Sequence, residues 1–168
     1  MRKGIFLTLL LWGLWGGGLQ AQTQGQYIKA ADEAFEKGDY YAALYNYNIV
    51  YEVRGKDPDL AFKFAEAARK FKAFLSAAPA YQEVLASKKA DEYPMSRYWL
   101  AHVQKSLGKY DSARINYQRY LDESALPGTY FEERALEEIR NIDWALQQLA
   151  ETEVDPDKVV HLKGKNIN

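Results

Sequence analysis

The sequence predicts an all-α fold: a solenoid of three helix-turn-helix repeats closed by one further helix. Three observations carry this expectation. A short pattern recurs at a near-constant period, glycine or proline falls at most of the joints between periods, and a long amphipathic stretch follows the last period.

The repeated pattern is Gly38-Asp39-Tyr40 with Ala43, Tyr47 and Val50. It returns as Lys72-Ala73-Phe74 with Ala77, Tyr81 and Val84, and again as Gly108-Lys109-Tyr110 with Ala113, Tyr117 and Tyr120. The offsets are 34 and then 36 residues for every member of the set. Glycine after a first helix turns the chain left-handed without a Cβ clash, and the aromatic two residues on opens a second helix. An alanine, an aromatic four residues later and an apolar residue three further on share one face of that helix. The alanine permits close approach of the paired helix, and the ring fills space between repeats.

The first helices agree with this register. Tyr27, Ala30, Ala31 and Ala34 form one stripe, Ala61, Phe64, Ala65 and Ala68 a second, and Arg97, Leu100, Ala101 and Gln104 the third. Repeat two departs from the pattern at two points. Lys72 replaces the turn glycine, and Pro79 falls where the middle of a helix is expected, so the pattern predicts a late helix start with Ser76 as N-cap and a longer turn. Asp57-Pro58 and Tyr93-Pro94 each read as a joint with proline at the first helical position. Leu126-Pro127-Gly128 breaks the chain, and Thr129 to Glu132 reads as a capping box. The closing helix carries one apolar stripe of Phe131, Ala135, Ile139, Ile142, Leu146 and Leu149.

These joints divide the chain into a leader at 1–21, repeats at 22–57, 58–93 and 94–128, the closing helix at 129–150, and 151–168 as a linker or the start of a truncated following domain. In the leader, Arg2 and Lys3 precede an apolar run from Ile5 to Trp15 and a small-residue site at Leu19-Gln20-Ala21. That order is expected of a secretory signal peptide cleaved before Gln22. The run is short for a membrane span, and Gly16-Gly17-Gly18 weakens a helix there. Export to the periplasm follows as the expected localisation, with membrane contact only indirect after cleavage.

Composition narrows the function. With 48% apolar and 27% charged residues, the 168-residue chain can bury a core, and a formal net charge of −1 gives no basis for binding nucleic acid. No cysteine is present, which removes disulfides, thiol nucleophiles and thiolate metal sites. His102 and His161 stand far apart. Glu132-Glu133 and Glu137-Glu138, with Arg134 and Arg140 nearby, read as a solvated helix face, and Asp155-Pro156-Asp157 reads as a turn. No catalytic group, cofactor site or metal site is patterned, and an enzyme is not expected.

The period and the Leu107-Gly108-Lys109-Tyr110-Asp111-Ser112-Ala113 run resemble tetratricopeptide repeats over the chain up to about Leu121. The resemblance implies a right-handed stack whose first helices line a concave groove for a protein or peptide partner. It puts Ile28, Asp32 and Phe35 of repeat one there, with Asp59, Phe62, Glu66 and Arg69 of repeat two and Tyr98, His102 and Lys105 of repeat three. The family's clamp for acidic tails is not matched, because Ile28, Asp32, Lys63, Met95 and Trp99 occupy its positions.

A narrower resemblance, through the leader, Ile139, Asp143, Trp144, Ala145, Val159-Val160-His161-Leu162 and Asn166-Ile167-Asn168, is to the front of OmpA-family envelope proteins of the PorE-like, type IX secretion-associated plan. It implies a scaffold in an envelope complex. A free periplasmic peptide-binding or chaperone-like module stays open beside it.

Overall fold

The computed structural model describes residues 15–54, 57–123 and 128–153. Among them run seven α-helices and no strand: α1 (Trp15–Glu36), α2 (Tyr40–Arg54), α3 (Pro58–Lys70), α4 (Phe74–Ala86), α5 (Ser96–Ser106), α6 (Tyr110–Glu123) and α7 (Tyr130–Glu153). A single 3₁₀ turn at Ala90–Glu92 joins α4 to α5. The extensive helix-to-helix contacts run between sequence neighbours only, from α1 on α2 through to α6 on α7. That is the contact pattern of a solenoid.

The three turns within repeats close by the same pair of hydrogen bonds. Gly38 N–H donates to the Phe35 carbonyl at 3.0 Å and Asp39 N–H to that of Ala34 at 2.9 Å. Lys72 and Ala73 donate to Arg69 and Ala68 at 3.0 and 2.8 Å, and Gly108 and Lys109 to Lys105 and Gln104 at 3.0 and 2.9 Å. This doubly bonded C-terminal cap needs a left-handed residue at its centre. Gly38, Lys72 and Gly108 supply it at φ 79°, 66° and 72°. Lys72 therefore carries a strain of roughly 1–2 kcal/mol that its two glycine counterparts do not.

The repeated residues are the core. Ala43, Ala77 and Ala113 are buried, as are Tyr47, Tyr81 and Tyr117, and Val50, Val84 and Tyr120. From the first helices Ala31, Ala61, Phe64, Ala65, Ala68, Leu100 and Ala101 join them. Alanines at the crossing points let the paired helices approach, and the rings between repeats take the largest area out of water. Asp57 caps α3 by accepting from Asp59 and Leu60 N–H at 3.1 and 3.3 Å, with Pro58 at the first position. The capping box is formed as expected: Glu132 N–H donates to Thr129 Oγ1 at 3.4 Å, and Thr129 N–H to Glu132 Oε2 at 3.2 Å.

Several expectations are corrected. Helix α4 starts at Phe74, not after Ser76, and Pro79 lies inside it. The carbonyl that Pro79 leaves without a donor belongs to Leu75, which is 78% exposed on the same outer face as Pro79, where solvent can reach it. The turn of repeat two is thus no longer than the others. Pro94 is not the first residue of α5, which begins at Ser96 after the 3₁₀ turn. Ala30 is exposed, Arg97 is turned to an ion pair with Glu123 at 2.6 Å, and Leu149 stands exposed at the end of its stripe. Glu132 and Glu138 are buried, not solvated: the first closes the capping box, and the second takes a hydrogen bond from Lys105 and lies 3.6 Å from Arg134.

Helix α1 begins at Trp15 and continues through the expected cleavage point, although glycines occupy residues 16–18. Residues 1–14 of the expected leader lie outside the described residues, as does 154–168, which holds the expected Asp155-Pro156-Asp157 turn and the Val159 to Leu162 run. No described helix is long and apolar enough to cross a membrane.

Candidate functional site

A hollow of about 430 Å³ opens between α1 and α3, lined by Asp32, Phe35 and Glu36, by Phe62, Lys63 and Glu66, and by Tyr47 of α2. Helical spacing puts each helix's contribution on one face: Asp32, Phe35 and Glu36 are three and four residues apart, and Phe62 and Glu66 four apart. The floor is polar and closed. Tyr47 Oη donates to Asp32 Oδ1 at 2.5 Å, and Lys63 Nζ reaches both Asp32 oxygens at 2.7 and 2.9 Å, joining repeat one to repeat two. Burial first, and then the Asp32 carboxylate and Glu36, hold the Tyr47 proton on well above the usual phenol range. Both phenyl rings are half-buried and held by a neighbour: Phe35 packs edge-on against Tyr40 at 5.3 Å, and Phe62 stacks on Tyr93 at 4.4 Å.

The tyrosine-to-carboxylate contact is repeated. Tyr81 donates to Glu66, at the same 15-residue separation as Tyr47 and Asp32. Arg69 completes the second contact, with Nη2 on Glu66 Oε2 at 2.6 Å and Nε 3.0 Å from Tyr81 Oη. Burial works against the Arg69 charge, but Glu66 outweighs it, and the guanidinium is held above its ordinary value. In repeat three the same spacing from Tyr117 reaches His102, and the buried Tyr117 hydroxyl has no hydrogen-bond partner among the described residues.

Of the ten groove residues expected from the sequence, Asp32, Phe35, Phe62 and Glu66 line the hollow. Ile28 packs half-buried against the core of repeats one and two. Asp59 lies exposed, accepting from Lys89 at 2.9 Å and from Tyr93 at 2.7 Å. Arg69 sits 3.7 Å over the Trp99 ring. Tyr98 does not reach a groove: it is 5% exposed, with edge contacts to Trp99, Tyr117, Tyr120 and Phe131. His102 is half-buried against Trp99, and Lys105 is bonded to Glu138. Repeat three therefore contributes nothing to the hollow: Phe131 of α7 packs on Tyr98, whereas Phe62, its counterpart on α3, faces the hollow. Glu36, Tyr47 and Lys63 were missed as lining residues. Glu36 stands four residues beyond Asp32 on the same helix face, which was a usable signal.

A larger hollow of about 690 Å³ lies at the ends of the helices, among Leu85, Tyr93, Pro94, Met95, Arg97, Tyr120 and Phe131. Of its charged residues, Arg97 and Glu123 pair with each other and Asp91 is exposed. The hollow between α1 and α3 is the better candidate, since it is walled by two first helices and by four of the expected groove residues, with the Phe35 and Phe62 rings among them. Among the described residues no group of acidic or histidine side chains is arranged to hold a metal ion.

No protein-family model matches this sequence, and no curated protein matches it. Solved structures do. The first tetratricopeptide domain of Spaghetti (RPAP3), bound to the HSP90 peptide SRMEEVD, is similar at 22% identity and a TM-score of 0.59, over 75% of this chain and 94% of that one. The first such domain of human RPAP3 is similar at 21% identity and a TM-score of 0.58, over 76% and 95% of the two chains. The Sgt2 tetratricopeptide domain from Aspergillus fumigatus is similar at 12% identity and a TM-score of 0.59, over 87% and 89%. At these identities the likeness establishes the fold, an all-α solenoid of the tetratricopeptide type.

Proposed function

We propose that the chain is a non-enzymatic scaffold that holds a protein partner, as an extended segment or a helix, in the hollow between α1 and α3. The observation that carries this is the pairing of two half-buried aromatic rings, Phe35 and Phe62, across an open hollow whose polar floor is already satisfied. Rings held by neighbours lose little entropy when a partner covers them, so they act as anchors. The peptide held by the Spaghetti domain lends support from a chain of the same fold.

The place of action we propose is the Gram-negative envelope, in an assembly of the OmpA-family or type IX secretion kind. Arg2, Lys3, the apolar run and Ala21 support it. Intact-mass measurement of periplasmic protein starting at Gln22 is the expected outcome, and full-length protein held in the inner membrane overturns it.

Phe35→Ala and Phe62→Ala are each expected to weaken capture of envelope partners by about 1–2 kcal/mol while circular dichroism stays helical. Glu52→Ala and Arg119→Ala, exposed on second helices, serve as controls. Loss of partners in the controls with retention in the phenylalanine variants moves the site to the outer face.

A further inference from the structure

The charge in the hollow is unevenly balanced. Its lining brings three carboxylates, Asp32, Glu36 and Glu66, against one ammonium, Lys63. Lys63 is spent on Asp32, and Glu66 is held by Arg69 and Tyr81 from the side. Glu36 is left exposed at the rim, with no hydrogen bond or ion pair among the described residues. It stands one residue from the Phe35 ring, on the same wall.

We infer that the hollow selects partner segments carrying an arginine or lysine beside an apolar residue, and rejects acidic tails. This rests on the scaffold reading above and specifies its ligand. The stem of a long basic side chain lies along the Phe35 and Phe62 faces, its head meets Glu36, and the ring faces attract the cation as well. The neighbouring apolar residue covers the remaining aromatic edge. An acidic segment meets the reverse: its carboxylates approach Glu36 and the acceptor oxygens of Asp32, and Lys63 is not free to answer them. Like charges placed together at an interface oppose binding as strongly as opposite ones favour it, so the hollow discriminates by repulsion as well as attraction.

The test is selection of a random phage-displayed peptide library on the purified protein, followed by binding of the enriched peptides to variants by fluorescence polarisation. Enrichment of a basic residue next to an apolar one is expected. Those peptides should bind Glu36→Gln about two- to fivefold more weakly, a loss that shrinks in high salt. Glu36→Lys should weaken them by about tenfold and begin to admit the acidic peptide SRMEEVD, which the unaltered protein refuses.

Peptides without a basic preference that still lose binding on Phe62→Ala overturn the charge selection and leave the hollow as the site. Peptides indifferent to both Phe35→Ala and Phe62→Ala overturn the hollow itself. No enrichment from a folded protein overturns both.

Discussion

Removing one hydroxyl from three equivalent tyrosines is expected to give three different results, and the order follows from what each hydroxyl touches. Tyr81 Oη is buried, donates to Glu66 and accepts from Arg69 Nε at 3.0 Å. In Tyr81→Phe, Glu66 keeps its arginine but loses a donor in a site with little access to water, since the Glu66 and Arg69 side chains are 16% and 11% exposed. A cost of about 1–2 kcal/mol is expected, the desolvation of a charged acceptor left short of one bond. Tyr47→Phe also takes a donor from a carboxylate, but the Asp32 side chain is 39% exposed and keeps Lys63. Water replaces the hydroxyl there, and about 0.5 kcal/mol is expected. Tyr117 has a buried hydroxyl with no partner among the described residues. Its deletion removes a desolvated polar group, so Tyr117→Phe is expected to be neutral or up to about 1 kcal/mol more stable. Urea unfolding followed by far-ultraviolet circular dichroism reads the series, and the Tyr81→Phe loss corresponds to a midpoint shift of roughly 0.5–1 M. Equal destabilisation by Tyr81→Phe and Tyr117→Phe would refute the assignment of distinct surroundings in the two repeats. A neutral Tyr81→Phe would refute the stabilising role of the Glu66 contact.

Three further outcomes follow from the same contacts. Ala113→Leu is expected to destabilise by about 1–3 kcal/mol through overpacking where α5 and α6 meet, and an unchanged melting temperature would show that the site has room. Lys72→Gly is expected to stabilise by about 0.5–1 kcal/mol by relieving a left-handed residue at φ 66°, against a loss of similar size for Gly108→Ala at φ 72°. His102 is held below its ordinary value by burial first, then by Arg69 and Lys105. The unfolded chain therefore takes up the proton first, and the contribution of His102 is full above the ordinary histidine range and lost as pH falls through it toward the lowered folded value. His102→Gln should flatten the stability profile between about pH 7 and pH 5, and an unchanged slope would remove His102 as its source.

The period was legible in the sequence because burial enforces it. A buried alanine at a helix crossing and a buried ring between repeats tolerate few replacements, so both recur at fixed spacing through Ala43 and Tyr47, Ala77 and Tyr81, and Ala113 and Tyr117. Pro79 escapes a reading from sequence because the cost of an interior proline depends on which side of the helix it occupies, and Pro79 lies on the outer side of α4. There, beside exposed Leu75, the carbonyl that loses its donor is open to solvent.

The groove was legible only in part, for a reason built into a solenoid. Phe62 and Tyr98 occupy the same register 36 residues apart, yet Phe62 faces the hollow and Tyr98 is sealed under Phe131 of α7. A first-helix position is surface or core according to what stacks next, and the sequence of one repeat does not contain its successor. The register continues one step further, into α7. The column of Asp32, Glu66 and His102, at offsets of 34 and 36 residues, extends by a further 36 to Glu138. A carboxylate at that place belongs to the inward-facing column and needs a partner from the preceding first helix, which Lys105 supplies. Read as one of a run of charges on α7, Glu138 passes for a solvated residue. Read as the fourth member of the column, it is a buried acid, and α7 is a fourth first helix serving as the cap.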